Sequence, residues 1–193
     1  MKKFIGDCQV KSFYSDNAKE LRKMAEALNL ANPTSTPYRH AANGKMEREN
    51  QTTIMGTSSS LWHSGLPHEW WPAAGKHFSF AVNITRANQK GITAYEDRFG
   101  APFDGLVLPL GAAVHFRPVK PIRDELPRFG KRTVPGIFLG WHLQPGEIWK
   151  KEYYVCALRD FSEKNASKIH VYTIREVIPH KELMFPLAIA RDE

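Results

Sequence analysis

The chain has 193 residues and a mass of 22.0 kDa, room for one domain or for a small domain with a module attached. Hydrophobic residues at 42% and charged residues at 24% exclude a disordered or fibrous chain, and no apolar run approaches the ~18 residues that span a bilayer. The net charge of +7 is local: residues 1–50 carry 9 Lys/Arg against 6 Asp/Glu and residues 116–135 carry 6 against 2, whereas 51–115 (4 against 4) and 136–193 (8 against 8) balance.

Local basic excess is the footprint of a polyanion partner, with a merely solvated basic surface as the alternative. The basic start, Met1 to Asp7, lacks the apolar stretch of a signal peptide. Two cysteines, Cys8 and Cys156, supply neither a disulfide framework nor a Cys-rich zinc site. An intracellular, reducing compartment is expected, with no membrane partner.

In chain order, Val10-Lys11-Ser12-Phe13-Tyr14 reads as a short strand. A helix over roughly 17–30 follows, with Leu21, Met24, Ala25 and Leu28 on one face and Lys19, Arg22, Lys23 and Glu26 on the other. Asn32-Pro33 and Thr36-Pro37 mark a loop or edge strand. A second helix starts near Asn43-Gly44 and weakens at Thr52, Thr53, Gly56 and Ser58-Ser59-Ser60, all poor helix formers. A third, from about His68 to Ile84, carries the stripe Trp71, Ala74, Phe78, Ala81 and Thr85, with Pro72 tolerated in its first turn. Thr93 to Phe99 reads as a helical turn. From Gly100 onward, Pro and Gly punctuate short runs at 106–110, 112–117, 134–142, 148–158 and 168–178, the pattern of a small antiparallel β module, with a barrel the expected form. Residues 181–193 read as a tail.

Two constellations could carry chemistry. In Tyr14-Ser15-Asp16-Asn17, a carboxylate at the end of a strand can hold a metal ion on a rigid element; Asp16 or Asn17 can equally be a helix N-cap, with Glu20 completing a capping box. In Thr36-Pro37-Tyr38-Arg39 and Asn43-Gly44-Lys45-Met46-Glu47-Arg48, a helix places Asn43, Glu47 and Asn50 on one face. A carboxylate flanked by Lys45 and Arg48 suits a Mg²⁺ site that also holds a phosphodiester, or is an exposed first-turn Glu favoured by the helix dipole. His63 and His68, five apart across Gly65 and Pro67, flank a loop, and without a nearby Cys they do not make a zinc site. Trp62, Trp70, Trp71, Trp141 and Trp149 are read as packing residues, with Trp141 and Trp149 the candidates for base stacking.

Taken in order, Tyr14-Ser15-Asp16-Asn17, Thr36-Pro37-Tyr38 and Asn43-Gly44-Lys45-Met46-Glu47-Arg48 resemble the second half of the acidic triad of retroviral-type integrases, in particular those of copia-type retrotransposons. Ser64-Gly65-Leu66-Pro67 with Trp70-Trp71 and Ala73-Ala74 resembles their next helix. Thr93-Ala94-Tyr95-Glu96-Asp97-Arg98-Phe99-Gly100 resembles their Thr-Pro-Tyr-Glu segment. Phe129-Gly130-Lys131-Arg132 followed by Gly136-Ile137-Phe138-Leu139-Gly140-Trp141 resembles the Src-homology-3-like barrel that follows the core in their polyproteins. The resemblance covers roughly residues 1–178.

It implies an α+β chain: 1–100 the C-terminal part of an RNase H-like catalytic core, mostly helical, and 101–180 a small antiparallel β-barrel. It also implies Asp16 and Glu47 as catalytic, metal-binding carboxylates for Mg²⁺ or Mn²⁺, a nuclear location, and Tyr38, Arg39, Asn43, Lys45, Arg48, Lys131 and Arg132 as residues that face DNA without sequence preference. The chain departs from the family pattern in three ways. The first acidic residue of the triad is missing, since only 15 residues precede Asp16 and Asp7 adjoins the same strand. The His/Cys zinc domain is absent from the sequence. Residues 17–46, 30 in number, separate Asp16 from Glu47, fewer than in the family. The metal site is therefore expected to be weak and incomplete and the chain inactive by itself. An active strand transferase completed upstream, and a protein-interaction module able to self-associate, are the alternatives.

Overall fold

The structure, a computed structural model, describes residues 5–6, 9–15, 18–34, 40–120, 122–163 and 168–193, with backbone alone at 40–43, 45, 122, 125 and 163. Among these, no helix is long and apolar enough to cross a membrane. The chain divides into two compact units: Met1–Thr52 with Leu143–Ile148, and Thr53–His142 with Trp149–Glu193.

In the first unit, helix α1 spans Lys19–Ala27. Its inward face is the predicted one: Ala25 is buried and Leu21, Met24 and Leu28 are half-buried, while Lys19, Arg22, Lys23 and Glu26 meet solvent. The N-cap is Ala18, with no side-chain cap bond. Asn29, at φ 52°, turns the chain so that Leu30 N–H donates back to Ala25 C=O at 2.9 Å. The strand expected over 10–14 is reduced to two isolated parallel bridges, Ser12 with Ala31 and Ser15 with Thr34. Asn32-Pro33 explains the interruption, because proline has no N–H to extend a ladder.

Helix α2 spans His40–Ser64, 25 residues, and runs through the positions expected to weaken it. Packing offsets propensity in its second half, where Gly56, Ser60 and Leu61 are half-buried and Ser64 is buried, while Thr52, Thr53, Ser58 and Ser59 stay exposed. At Gly56 an added Cβ would lie 2.0 Å from the Phe78 ring, so the absent side chain is what lets Phe78 of the next helix seat. At its end Ser64 is fully buried and its hydroxyl donates to Leu61 C=O at 2.7 Å. After a 3-10 turn at His68–Trp70, helix α3 spans Trp71–Thr85 with Pro72 in the first turn. Its buried residues are Ala74, His77, Phe80 and Ile84. This corrects the predicted stripe: Trp71 is 61% exposed and Phe78 only half-buried. The helix is covered from two sides, by α2 at Phe78 and by the aromatic residues Phe103, Phe138 and Trp141 at His77 and Phe80, so no single stripe at ideal spacing describes it. Helix α4, Ala94–Phe99, is fixed at both ends: Thr93 Oγ1 accepts from Glu96 N–H at 3.2 Å, and Gly100 closes it at φ 75°.

The sheet has five strands: β1 Ala113–Phe116, β2 Val134–Gln144, β3 Ile148–Ala157, β4 Tyr172–Ile174 and β5 Val177–Pro179. Short helices α5 (Ile122–Glu125) and α6 (Asp160–Glu163) lie in the connections, and α7 (Pro186–Asp192) ends the chain. The strand order is β4-β3-β2-β1-β5. The registers are antiparallel: Ala113 opposite Ile137, His115 opposite Ile178 and Tyr154 opposite Thr173.

This is an open sheet, which corrects the closed barrel expected from the sequence. Both edge strands are three residues long, too short to ladder across a gap, and Pro179 on β5 lacks a donor. The sheet is nevertheless curled. Strands β4 and β5 lie at opposite edges, yet only Arg175-Glu176 join them, a span of no more than ~11 Å from Ile174 to Val177.

Ile137 and Leu139 enter one cluster with Leu66, Ala74, Leu110 and Cys156, against Leu61, Trp70 and Leu187. Phe138 stands instead among Tyr153, Trp141 and His77, as strand alternation predicts. Gly140, at φ 137°, breaks that alternation and brings the Trp141 ring within 5.4 Å of Phe138. Helices α3 and α4 thus share a core with the sheet, where composition had suggested a boundary near Gly100. The run at 106–110 is not a strand. Its backbone is paired by side chains: Leu106 N–H donates to Tyr153 Oη at 2.9 Å, Leu106 C=O accepts from Trp141 Nε1 at 2.9 Å, and Leu108 C=O accepts from His77 Nε2 at 3.0 Å.

Candidate nucleic-acid interface

The basic excess of residues 116–135 lies in the connection from β1 to β2, residues 117–133. Its first half lines a cavity of about 420 Å³ with the β4–β5 bend. Arg117, Lys120, Arg123 and Arg175 contribute four cations to the lining, Glu152 and Glu176 two carboxylates, net +2.

The ion pairs around this cavity are exposed ones: Arg117 with Glu176 at 3.6 Å, Lys120 with Asp124 at 3.7 Å and Arg123 with Asp124 at 3.5 Å. Such pairs contribute at most about 1 kcal/mol each, so an incoming polyanion can replace the carboxylates at small cost. Arg175 is held more firmly. Its Nη2 and Nε donate to Glu152 Oε1 at 3.1 and 3.3 Å, while His142 Nδ1 donates to Glu152 Oε2 at 2.9 Å. Hydrogen bonds from His142 and then Arg175 hold the Glu152 carboxyl below its ordinary range. Residues on β2, β3 and the β4–β5 bend thereby fix one guanidinium at the cavity wall.

The second half of the connection, Pro127-Arg128-Phe129-Gly130-Lys131-Arg132, is exposed throughout. Gly130 N–H donates to Pro127 C=O at 3.1 Å, closing a tight turn.

Of the residues singled out in the sequence, Lys131 and Arg132 lie exposed on this connection. Glu47 and Arg48 are exposed on α2, and Asn43 and Lys45 lie on the same helix by backbone. Asp16, Tyr38 and Arg39 lie outside the described residues. Glu47 is therefore the one described carboxylate of the expected metal-binding pair. Among the described residues, no three His, Cys, Asp or Glu side chains gather to hold a metal ion.

Trp141, a candidate for base stacking, is 5% exposed and bonded to Leu106, a packing residue. Trp149 packs on Phe103 at 4.6 Å and Tyr153 at 5.4 Å. The exposed tryptophans are Trp62 (72%) and Trp71, and Arg191 lies 4.1 Å over the Trp62 ring. Sequence reading missed Arg117, Lys120, Arg123 and Arg175. The charge excess marked the first three, whereas Arg175 sits in a balanced region and joins them only through the curl of the sheet.

These features define an α+β chain with an open, five-stranded antiparallel sheet and a basic connection beside its seam. No protein-family model and no curated protein matches the sequence. Among solved structures, the chain is similar to one chain of the simian T-cell lymphotropic virus intasome in complex with PP2A regulatory subunit B56 gamma. The TM-score is 0.39 and the identity 14%, over 91% of this chain and 57% of that one. The chain thus spans somewhat more than half the length of that neighbour.

Proposed function

We propose that this protein is a nucleic-acid-binding chain derived from a copia-type integrase, a partial RNase H-like core joined to a Src-homology-3-like module, and that by itself it does not catalyse strand transfer. The observation that carries the binding reading is the β1–β2 connection, which holds six cations against two carboxylates and whose Arg117, Lys120 and Arg123 meet Arg175 at a cavity. The ordered run of motifs from Tyr14 to Trp141 supports the integrase origin. The strand order, a four-strand meander whose fifth strand returns to the first, is that of a small curled, open sheet and supports the module's kinship with the Src-homology-3-like segment. Binding of this kind neutralises phosphates without reading bases.

The test is DNA affinity against salt. Log affinity falls with log salt by roughly 0.9 per phosphate neutralised, and replacing Lys131 and Arg132 by Ala weakens all duplexes alike. A flat salt response overturns the reading. For catalysis, two-metal transfer requires a further carboxylate to bridge both ions, and the motif matches in this sequence are Asp16 and Glu47, two of the three. A labelled-oligonucleotide assay with Mg²⁺ or Mn²⁺ is expected to show no end processing or strand transfer. Activity abolished by Asp16→Asn and by Glu47→Gln would show the inactive reading to be wrong.

A second reading, protein contact or self-association, has one observation in its favour. Met55 and Trp62, seven residues apart on α2, are 62% and 72% exposed, with Ile54 at 67% beside them. Light scattering across a concentration series distinguishes a monomer from a self-associating chain.

A further inference from the structure

Phe129 is 96% exposed, more than any other large apolar side chain among the described residues. A lone exposed apolar residue is ordinary; the surroundings of this one are not. It stands on the tight turn closed by Gly130 N–H and Pro127 C=O, which presents the ring outward on a short, constrained backbone. Arg128 lies with its guanidinium 6.0 Å from the ring centroid, and Lys131 and Arg132 follow within three residues. From Leu126 to Pro135 there is no carboxylate.

Resting on the nucleic-acid reading above, we infer that Phe129 stacks on an unpaired base, so that the chain favours single-stranded nucleic acid or frayed ends over closed duplex. An aromatic face stacks on any base, and flanking cations hold the phosphates on either side. In a closed duplex both faces of each base are already covered, and exposing one costs a few kcal/mol per step. A single strand offers its base faces freely. A cationic turn with one aromatic ring also suits an anionic lipid surface. The other half of the same connection decides against it: Arg117, Lys120 and Arg123 line a concave cavity with Arg175, which a narrow strand can enter and a flat bilayer cannot fill.

The experiment uses the full chain, a short labelled single strand and the duplex of the same length, read by fluorescence anisotropy at one salt concentration. Because Phe129 packs against almost nothing, Phe129→Ala leaves the fold intact. It is expected to weaken single-strand binding about tenfold, the loss of one stacked base, and to leave duplex binding within about twofold. Phe129→Trp is expected to retain the single-strand preference and Phe129→Leu to lose it. A strand carrying 2-aminopurine loses fluorescence on the parent chain and not on Phe129→Ala. Equal losses on both nucleic acids, or Phe129→Leu matching the parent, overturn the inference while the nucleic-acid reading stands. Phe129-dependent binding to phosphatidylserine vesicles with unchanged nucleic-acid binding also overturns it. A parent chain that binds neither strand nor duplex overturns both.

Discussion

His77 lies buried between helix and sheet, stacked on Trp141 at 5.0 Å, with Nε2 donating to Leu108 C=O. Its Nδ1 is buried, and among the described residues no hydrogen-bond partner meets it. A proton there would place a charge where no described acceptor meets it, and burial lowers the pKa below 6.5. The folded state thus binds this proton less readily than the unfolded one. The resulting stability is full above the unfolded value, about 6.5, and is lost as pH falls below it. Melting temperature is expected to decline from pH 7 to pH 5 and the decline to shrink in His77→Gln. An unchanged pH profile in that variant would remove His77 as the cause. Cys156 is governed by the same physics with the opposite sign: burial, aided by Asp160, pushes its thiol up to about 12. In a Cys8→Ser background, thiol reagents are expected to leave Cys156 unmodified until denaturant is added. Rapid labelling of the native chain would contradict its burial.

Among the elements, β2 bears the tightest constraint. Residues 136–141 are buried without interruption, so this strand serves both the Ile137–Leu139 cluster and the ring set around Phe138. At Gly136 an added Cβ would lie 2.7 Å from Cys156 C=O and from the Phe116 ring. That carbonyl belongs to the neighbouring strand and cannot retreat without disturbing the ladder. Gly136→Ala is expected to lose about 1–3 kcal/mol, the usual cost of overpacking, read as a lower denaturation midpoint at unchanged slope. Phe138→Ala is expected to lose about 3–5 kcal/mol, since it empties a fully buried ring site. Wild-type stability in either would mean the strand packs less closely than described.

On the scale of the whole molecule, residues 53–142 and 149–193 form one unit, with helices α3 and α4 and all five strands contributing. Far-UV dichroism, which follows the helices, and Trp141 fluorescence in a chain whose other four tryptophans are replaced by Phe, which follows the sheet, are expected to report coincident thermal transitions for this unit. A helical transition separate from that of the sheet would mark a boundary near Gly100.

The sequence by itself determined the inward face of α1, the helical turn at Thr93 to Phe99, the antiparallel character after Gly100 and the place of the basic excess. Each of these rests on local chemistry: side-chain periodicity, the Pro and Gly that punctuate short runs, and the count of charges in a short window. Only the tertiary structure decided that α2 continues through Gly56 and the serines, that α3 buries His77 rather than Phe78, and that Trp141 is a packing residue. It also decided that Arg175 joins Arg117, Lys120 and Arg123. Those outcomes depend on what lies across a helix or a sheet from each residue. A neighbour's ring or a curled edge, brought close across many residues of chain, leaves no mark on the local pattern, and burial there outweighs helix propensities that differ by about 1 kcal/mol or less.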